Sequence, residues 1–315
     1  MNLKDTKSAY LSGQMSKPEY IDGMYQLHQR LFEYANFLEG TDIGKIEITD
    51  GTVVMTSRTT EVKIYCDQYD KRLAPLEILN FDFYEKTDSD MMFQLLKRLM
   101  EQREDQVNFF DIGANIGWYT LNLAKTFEKV KFFAFEPIPM TFEKLKANVE
   151  LNQVNVNLHN FGFSNQEQEL TFYYYPEGSG NASAANLAQS DNVKTIPCYV
   201  KKLDDFIAQK SLCVDFIKCD VEGAELFVYQ GGIESIQKNK PIIFTEMLRK
   251  WSAKFNYNPN EIIDLLFGLG YRCFIAKADQ LVEFFRMDDN TIETNFFFLH
   301  SGNHSALIES LALKV

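Results

Sequence analysis

The stretch Asp111-Ile112-Gly113-Ala114-Asn115-Ile116-Gly117 joins a short apolar segment at 107–111 to a segment with helical spacing at 118–127. A strand, a glycine-containing turn and a helix in this order are typical of α/β domains that bind a nucleoside. Small residues let the backbone turn sharply and approach a ligand closely, and Asn115 is one of the few non-glycine residues that tolerate a positive φ. The stretch therefore predicts an α/β fold with a ligand-binding loop after its first strand.

The alternation of strands and helices continues along the rest of the chain. It predicts a mainly parallel, Rossmann-like sheet with helices on both faces, whose ligands bind beyond the carboxyl ends of the strands. Two added strands are expected at 168–175 and 193–200, around a loop at 178–181. The other predicted elements are strands at 131–136, 155–160, 214–220, 241–246, 271–276 and 295–300, and helices at 140–151, from Gly223 onward and at 260–269.

Residues 1–75 are predicted to be an extension of the α/β domain at 76–315. Ser16-Lys17-Pro18-Glu19 has the spacing of a capping box with proline near the helix start, which predicts a helix at about 18–39. Alternating residues at 43–66 indicate a hairpin, and a further helix is predicted at 88–103. Because the apolar stripe of helix 18–39 must be buried, we expect it to pack on the domain or on a second subunit, the latter giving a homodimer.

Composition and charge narrow the class of protein and of partner. The 315 residues are 45% hydrophobic and 24% charged, as in ordinary globular domains. The net charge of −12 argues against a nucleic acid as substrate, because binding a phosphate backbone needs a basic surface. Five cysteines without a CxxC pair predict reduced thiols in a cytoplasmic protein. No apolar run reaches about 18 residues, which predicts that the chain does not span a membrane.

Glu136 ends the second predicted strand, 19 residues after Gly117, where a carboxylate can accept hydrogen bonds from both hydroxyls of a ribose. The loop lacks the complete GxGxxG that places a pyrophosphate at a helix N-terminus. The carboxylate of Asp111 would repel a pyrophosphate and attract an ammonium or sulfonium group. These features favour S-adenosylmethionine as cofactor. The alternatives are an NAD-type oxidoreductase and a methyltransferase-fold protein that binds without turnover, although loss of the loop or of Glu136 would have indicated the latter.

Six motifs occur in order along the chain: FYE (83–85), DIGANIGWYTLNLA (111–124), FAFEPIPMTFEKLKANVELN (133–152), LDDF (203–206), IKCDVEGAELFVYQGG (217–232) and TE (245–246). Together they resemble the FkbM-type methyltransferases, over roughly residues 80–250. The resemblance implies a class I methyltransferase fold and an S-adenosylmethionine-dependent enzyme. It also implies O-methylation of a hydroxyl on a sugar, a polysaccharide unit or a polyketide-like small molecule, so the expected partner is a small-molecule or glycan acceptor.

Positions that match the motifs imply the residues that bind the cofactor. Residues 162–165 stand where related enzymes place adenine contacts, usually with aspartate at the last position, where this chain has Asn165. The first 75 residues lie outside the resemblance, and together with 176–192 and 248–260 we expect them to shape the acceptor pocket. The implied cofactor contacts are Glu85, Asp111, Gly113, Ala114, Asn115, Gly117, Trp118, Glu136, Pro137, Phe163, Ser164 and Asp220.

A hydroxyl is a poor nucleophile until its proton is withdrawn, so a base is expected near the transferred methyl group. Asp220 is the first candidate base, and Glu222 or Glu246 the second. Glu222 and Glu225 also lie near a predicted helix start, where an acid can instead complement the helix dipole. Asp220, Glu246 and a nearby carboxylate are an alternative set of ligands for Mg²⁺, but the spacing demands no metal and none is predicted.

Two further polar residues fall on predicted strands. Lys218 lies within a buried strand and needs a partner there, which Asp220 or Glu246 would supply. His159, near the end of the third strand, is the only histidine expected near the site, although an ordinary core or surface histidine is the favoured interpretation.

Overall fold

Three β-sheets organise the part of the chain that a computed structural model describes, residues 1–103, 105–178, 180, 182–186 and 193–313. In chain order the strands are β1 (Ile43–Thr49), β2 (Thr52–Ser57), β3 (Lys63–Cys66), β4 (Asn108–Ile112), β5 (Lys131–Phe135), β6 (Val156–His159), β7 (Gly162–Phe163), β8 (Gln168–Tyr174), β9 (Lys194–Lys201), β10 (Phe216–Cys219), β11 (Ile242–Glu246), β12 (Tyr271–Lys277), β13 (Gln280–Phe284) and β14 (Asn295–His300).

Helices connect most of these strands. In chain order they are α1 (Leu3–Leu11), α2 (Lys17–Phe37), α3 (Ala74–Phe81), α4 (Lys86–Glu101), α5 (Trp118–Thr126), α6 (Pro139–Asn152), α7 (Leu203–Lys210), α8 (Glu225–Gln230), α9 (Ile233–Asn239), α10 (Arg249–Ser252), α11 (Asn260–Gly268) and α12 (Ser305–Leu311). Among the described residues, no helix combines the length and the apolar character that crossing a membrane requires.

The central sheet has eight strands in the order β13-β12-β14-β11-β10-β4-β5-β6. The five strands from β11 to β6 are parallel, whereas β14 lies antiparallel between β11 and β12. From β4 the chain first adds β5 and β6 on one side and then β10 and β11 on the other. The strand order therefore reverses between β4 and β10, which is where open α/β sheets bind their ligands.

Both faces of this sheet are covered, which explains why its strands are almost continuously apolar. In β4, Phe109 packs on one side with α4, α5 and α12, and the next residue, Phe110, packs on the other with α7, α8 and α11. The structure thus confirms the predicted fold class, a mainly parallel α/β sheet between two helical layers. Helix α6 belongs to a third cluster, in which its Leu145 and Val149 pack against Ile64 of β3.

Two smaller sheets flank the central one. The antiparallel sheet β1-β2-β3 is joined to α6 by amide side chains: the backbone N–H groups of Lys63 and Tyr65 donate to Asn152 Oδ1 (2.8 Å) and Asn148 Oδ1 (3.0 Å). The sheet β7-β9-β8 contains the two added strands that the sequence predicts. Of the predicted loop at 178–181, residues 179 and 181 lie outside the described residues, as do 187–192 of the expected acceptor segment.

Helix α2 begins with the predicted capping box, in which the Ser16 backbone N–H donates to Glu19 Oε2 at 2.8 Å. None of its 21 residues is buried. It packs on α1, where Tyr10 and Tyr20 stack with ring centroids 4.4 Å apart. Ile21, Tyr25 and Phe32 remain 55%, 59% and 65% exposed. Of the two expected locations for the apolar stripe, the structure therefore leaves the second subunit, and the homodimer stays a prediction.

We expect the protein to self-associate through α2, because apolar side chains at helical spacing stabilise an interface when they leave water. The double substitution Tyr25→Ser, Phe32→Ser should shift the dimer–monomer equilibrium toward monomer in sedimentation equilibrium. Ile48→Ser is the matched control, since Ile48 is 68% exposed on β1, away from α2. A wild-type chain that sediments as a monomer at every concentration would contradict this prediction.

Candidate active site

A cavity of about 850 Å³ lies at the carboxyl ends of the central strands, where the strand order reverses. One end is lined by the loop after β4 and by Glu136, Pro137 and Ile138 after β5. The other end is lined by residues 220–222 after β10 and by Glu246 at the end of β11. The strand topology therefore brings polar side chains that are more than 100 residues apart in sequence into one cavity.

The loop after β4 lies close against the end of β10. Gly113 has φ +78°, and a Cβ at this position would lie 1.9 Å from the carbonyl oxygen of Asp220, so no side chain fits. The backbone N–H groups of Gly113 and Ala114 donate to the carbonyl of Phe135, each at 3.0 Å. Asn115 adopts φ +50°, as its residue type allows. The loop is thus fixed between the ends of β5 and β10.

Glu136 binds the backbone of this loop with both carboxylate oxygens. Oε2 accepts from the N–H of Asn115 at 3.0 Å, and Oε1 accepts from the N–H of Ile138 at 2.9 Å. Burial raises the pKa of Glu136 to about 7, although the two backbone hydrogen bonds act in the opposite direction. Each oxygen keeps a further lone pair on the cavity wall, so the carboxylate can accept two hydroxyl hydrogens from a ligand.

Lys218 connects the two strands at the reversal point. Its Nζ donates to the carbonyl of Gly113 at 2.8 Å and lies 3.3 Å from Asp111 Oδ1 and 3.5 Å from Asp220 Oδ2. Burial alone would lower the pKa of Lys218, but the two carboxylates raise it above its ordinary value. The sequence led us to expect Asp220 or Glu246 as a partner of Lys218. Asp220 is such a partner, whereas Glu246 makes no ion pair among the described residues.

Asp111 is buried behind the cavity wall instead of lining it. The residue is 1% exposed, and its Oδ2 accepts a hydrogen bond from Thr120 Oγ1 at 2.6 Å. Gly117 is also absent from the lining; it caps the start of α5 with a φ of +94°, and a side chain there would collide with Leu145 of α6. The other predicted cofactor residues do line the cavity: Glu85, Gly113, Ala114, Asn115, Trp118, Glu136, Pro137, Phe163, Ser164 and Asp220.

The three predicted catalytic carboxylates lie together on the cavity wall. Asp220, Glu222 and Glu246 each place one oxygen within 4.8 Å of the others. Burial, and then the charge of Asp220, raise the pKa of both glutamates well above the ordinary value. Glu225 does not join them: it accepts the backbone N–H groups of Val221 and Gly223, each at 3.0 Å, and so closes the turn before α8. Its role is the helix-start role that the sequence allows.

Glu85 supplies a further carboxylate to the cavity wall and adopts a left-handed φ of +42° at the start of α4. It accepts a short hydrogen bond from the hydroxyl of Tyr119, and burial raises the pKa of Glu85. Sequence reasoning included Glu85 but missed Tyr119, and also Tyr84, which packs edge-to-face on Trp118. No signal in the sequence distinguishes these tyrosines from ordinary core aromatics.

Comparison with known protein families identifies the family to which this chain is related. The model of the family described as "Methyltransferase FkbM domain" matches residues 111–273, about half of the chain. The chain belongs to this family. The match includes the loop after β4, Glu136 and the three clustered carboxylates, which confirms the resemblance found in the motifs.

Three curated relatives of this FkbM-domain chain are similar to it over part of their length. Methyltransferase 1 of Beauveria bassiana is 30% identical over 38% of this chain and 56% of the relative. Hexuronic acid methyltransferase AglP of Haloferax volcanii is 28% identical, over 45% of this chain and 57% of the relative. The 31-O-demethyl-FK506 methyltransferase FkbM of Streptomyces tacrolimicus is 29% identical, over 39% and 58%. The chain spans little more than half the length of these relatives.

His159 takes no part in the FkbM-domain cavity. Its ring stacks on Phe135 with centroids 4.9 Å apart and packs edge-to-face on Phe206 at 5.2 Å. Burial, followed by the charges of Lys210 and Lys201, lowers the pKa of His159 to about 4, so the imidazole is neutral near pH 7. The structure therefore supports the interpretation that His159 packs among core aromatic side chains.

We expect Lys218→Met to lower the free energy of unfolding by about 3–5 kcal/mol, because it leaves the buried carboxylate of Asp111 without its cation. Adding Asp111→Asn should restore part of this loss. Urea unfolding measures both variants, with Lys144→Met as control: the Lys144–Asp67 pair is partly exposed, and losing it should cost at most about 1 kcal/mol. Equal losses for Lys218→Met and Lys144→Met would contradict the prediction.

Proposed function

We propose that this chain is an S-adenosylmethionine-dependent O-methyltransferase. The proposal rests on one cavity, which lies where the strand order reverses. It is lined by Glu136 at one end and by the carboxylates of Asp220, Glu222 and Glu246 at the other. A nucleoside and an acceptor must meet in one space for a methyl group to pass between them. Membership of the FkbM methyltransferase family supports this reaction class.

The cofactor is proposed from the charges and shape of the cavity. Glu136 would accept the ribose hydroxyls, and Pro137, Phe163 and Ser164 would contact the adenine. Asp111 already binds Lys218, so the attraction for the sulfonium and ammonium groups comes instead from Asp220 and its acidic neighbours. A pyrophosphate would be repelled by the same carboxylates, which disfavours the NAD-type alternative.

The acceptor is proposed to be a hydroxyl on a sugar or on a secondary-metabolite-like small molecule. Phe81, Phe83, Trp251 and Phe255 line the cavity, and aromatic faces of this kind pack on sugar rings or apolar skeletons. The printed names of two relatives, a hexuronic acid methyltransferase and a 31-O-demethyl-FK506 methyltransferase, support these acceptor classes. The net charge of −12 disfavours a nucleic acid.

A cytoplasmic location is proposed from the cysteines. All five cysteines are free thiols, two of them outside the buried core, at Cys66 and Cys213. Reduced thiols are usual in the cytoplasm and rare in oxidising compartments.

The cofactor would supply a methyl group, and the residues of this chain would orient the acceptor and receive its proton. A carboxylate oxygen of Asp220 or of its neighbours would take up the proton that the acceptor hydroxyl loses when it is methylated. The raised pKa of Glu222 and Glu246 makes each a stronger base than an ordinary carboxylate. Asp220 adjoins both the Gly113 loop and Lys218, so it is the carboxylate proposed to orient the hydroxyl.

The proposed role of Asp220 predicts that Asp220→Asn lowers the methyl-transfer rate by about 10²–10⁴, because the substitution keeps size and removes charge and basicity. Affinity for S-adenosylhomocysteine should fall much less than the rate, because Glu222 and Glu246 remain to attract its ammonium group. The rate would be measured as S-adenosylhomocysteine release with an acceptor found by screening hexuronic acids and other hydroxyl compounds. Asp279→Asn, at an exposed position, is the control. A lower melting temperature with wild-type turnover per folded molecule would instead assign Asp220 a purely structural role.

Binding of S-adenosylhomocysteine should depend on pH through Glu136. The ribose hydroxyls donate to the ionised carboxylate, so the ligand lowers the pKa of Glu136 and binding strengthens as pH rises through about 7. Affinity should fall about tenfold from the plateau at pH 8.5 to pH 6, since only about a tenth of the carboxylate is then ionised. Titration calorimetry measures this. Glu136→Gln should weaken binding by about 1–3 kcal/mol and abolish the pH dependence; an unchanged pH profile would remove Glu136 from the cofactor site.

A further inference from the structure

Three carboxylates converge on one point of the cavity wall from two adjacent strands. Asp220 and Glu222 follow β10, and Glu246 is the last residue of β11, which pairs in parallel with β10. One oxygen of each lies within 4.8 Å of the others. The strand pairing therefore holds these three oxygens as a preformed cluster.

Glu222 provides a second and independent observation, because one of its oxygens has no partner. Its Oε2 has no appreciable exposed surface and accepts no hydrogen bond among the described residues. Glu225, three residues later, is buried, yet two backbone N–H groups and the hydroxyl of Tyr257, at 3.3 Å, satisfy it. The turn after β10 thus provides hydrogen-bond donors to the carboxylate of Glu225 but none to Oε2 of Glu222.

Positive charge at the cluster falls short of the negative charge. Lys218 approaches Asp220 at 3.5 Å, and within the described part of the chain neither Glu222 nor Glu246 forms an ion pair. Lys218 is also shared with Asp111 at 3.3 Å. Like charges held this close in a partly buried site are stabilised when they share protons or bind a cation.

We propose that Asp220, Glu222 and Glu246 bind a divalent cation of the Mg²⁺ or Mn²⁺ type. Such ions take oxygen ligands at roughly 2.1 Å in octahedral geometry, which places ligand oxygens roughly 3.0 Å apart when adjacent and 4.2 Å apart when opposite. Oxygens within 4.8 Å of one another reach this geometry through small side-chain movements. Three protein ligands leave three positions for water and acceptor oxygens, as Mg²⁺ prefers; Ca²⁺ usually takes more protein ligands.

This inference rests on the proposed function, because the cation would lie beside the acceptor hydroxyl. There it would lower the pKa of that hydroxyl and fix its direction toward the methyl group. A carboxylate oxygen not engaged with the cation would then receive the proton.

Titration of the chelator-treated full-length chain with Mn²⁺, followed by electron paramagnetic resonance, tests the site without any acceptor. The titration is run with and without S-adenosylhomocysteine, which carries no sulfonium charge. We expect one saturable site per chain, weakened at least tenfold by Glu222→Gln and by Glu246→Gln. The matched control is Glu128→Gln, an exposed glutamate between α5 and β5, which should leave Mn²⁺ binding unchanged.

Binding of S-adenosylhomocysteine to each preparation reports folding and tests the cofactor half of the proposed function separately. A wild-type chain that binds S-adenosylhomocysteine but shows no saturable Mn²⁺ binding overturns the cation site and leaves the proposed function standing. Mn²⁺ affinity that is equal in wild type, Glu222→Gln and Glu246→Gln also overturns it. Mn²⁺ binding without S-adenosylhomocysteine binding would support the site and contradict the proposed function.

Discussion

The active-site end of the molecule depends on Lys218, a buried cation in the middle of the sheet. The parallel register of β4 and β10 pairs Lys218 directly with Asp111, and its ammonium group then reaches the Gly113 carbonyl and the Asp220 carboxylate. A buried ammonium group is stable only with such partners. One side chain therefore joins the two loops that approach each other at the reversal of strand order, and this fixes the floor of the cavity.

The same interaction determines how negative charge is distributed in the site. Lys218 balances the charge of Asp111 and reaches Asp220, but it does not reach Glu222 or Glu246. Burial, and then the charge of Asp220, raise the pKa of those two glutamates, although the charges of Lys218 and Lys250 partly oppose this for Glu222. Glu136, at the opposite end, is buried but held by two backbone N–H groups. The cavity thus has one carboxylate arranged to accept hydrogen bonds and, at its other end, a cluster suited to take up positive charge.

Local patterns sufficed to predict most strands, the fold class and the side chains at the strand ends, because parallel topology brings those ends to one edge whatever the details of packing. Patterns indicated Asp220 as a partner of Lys218 but not Asp111, because that contact depends on the register between β4 and β10 across more than 100 residues. The short elements α1, α3, α12 and β13 were missed, since their residues lack a long periodic signal. For α2 the pattern predicted the helix and its N-terminal cap, but it could not identify a surface that would cover the apolar side chains of this helix.

In the proposed reaction, the balance of charge in the cavity explains why an acidic cluster lies beside the transferred methyl group. Before transfer a sulfonium carries a positive charge; afterwards the sulfur is neutral and the acceptor has released a proton. In a buried site, loss of the sulfonium charge raises the proton affinity of every nearby carboxylate. Glu222 and Glu246 already have a raised pKa, so the cluster would be the group that takes up the proton when the sulfonium charge is lost. The net charge of the cavity then stays constant along the reaction, which keeps the electrostatic cost of the transition state low.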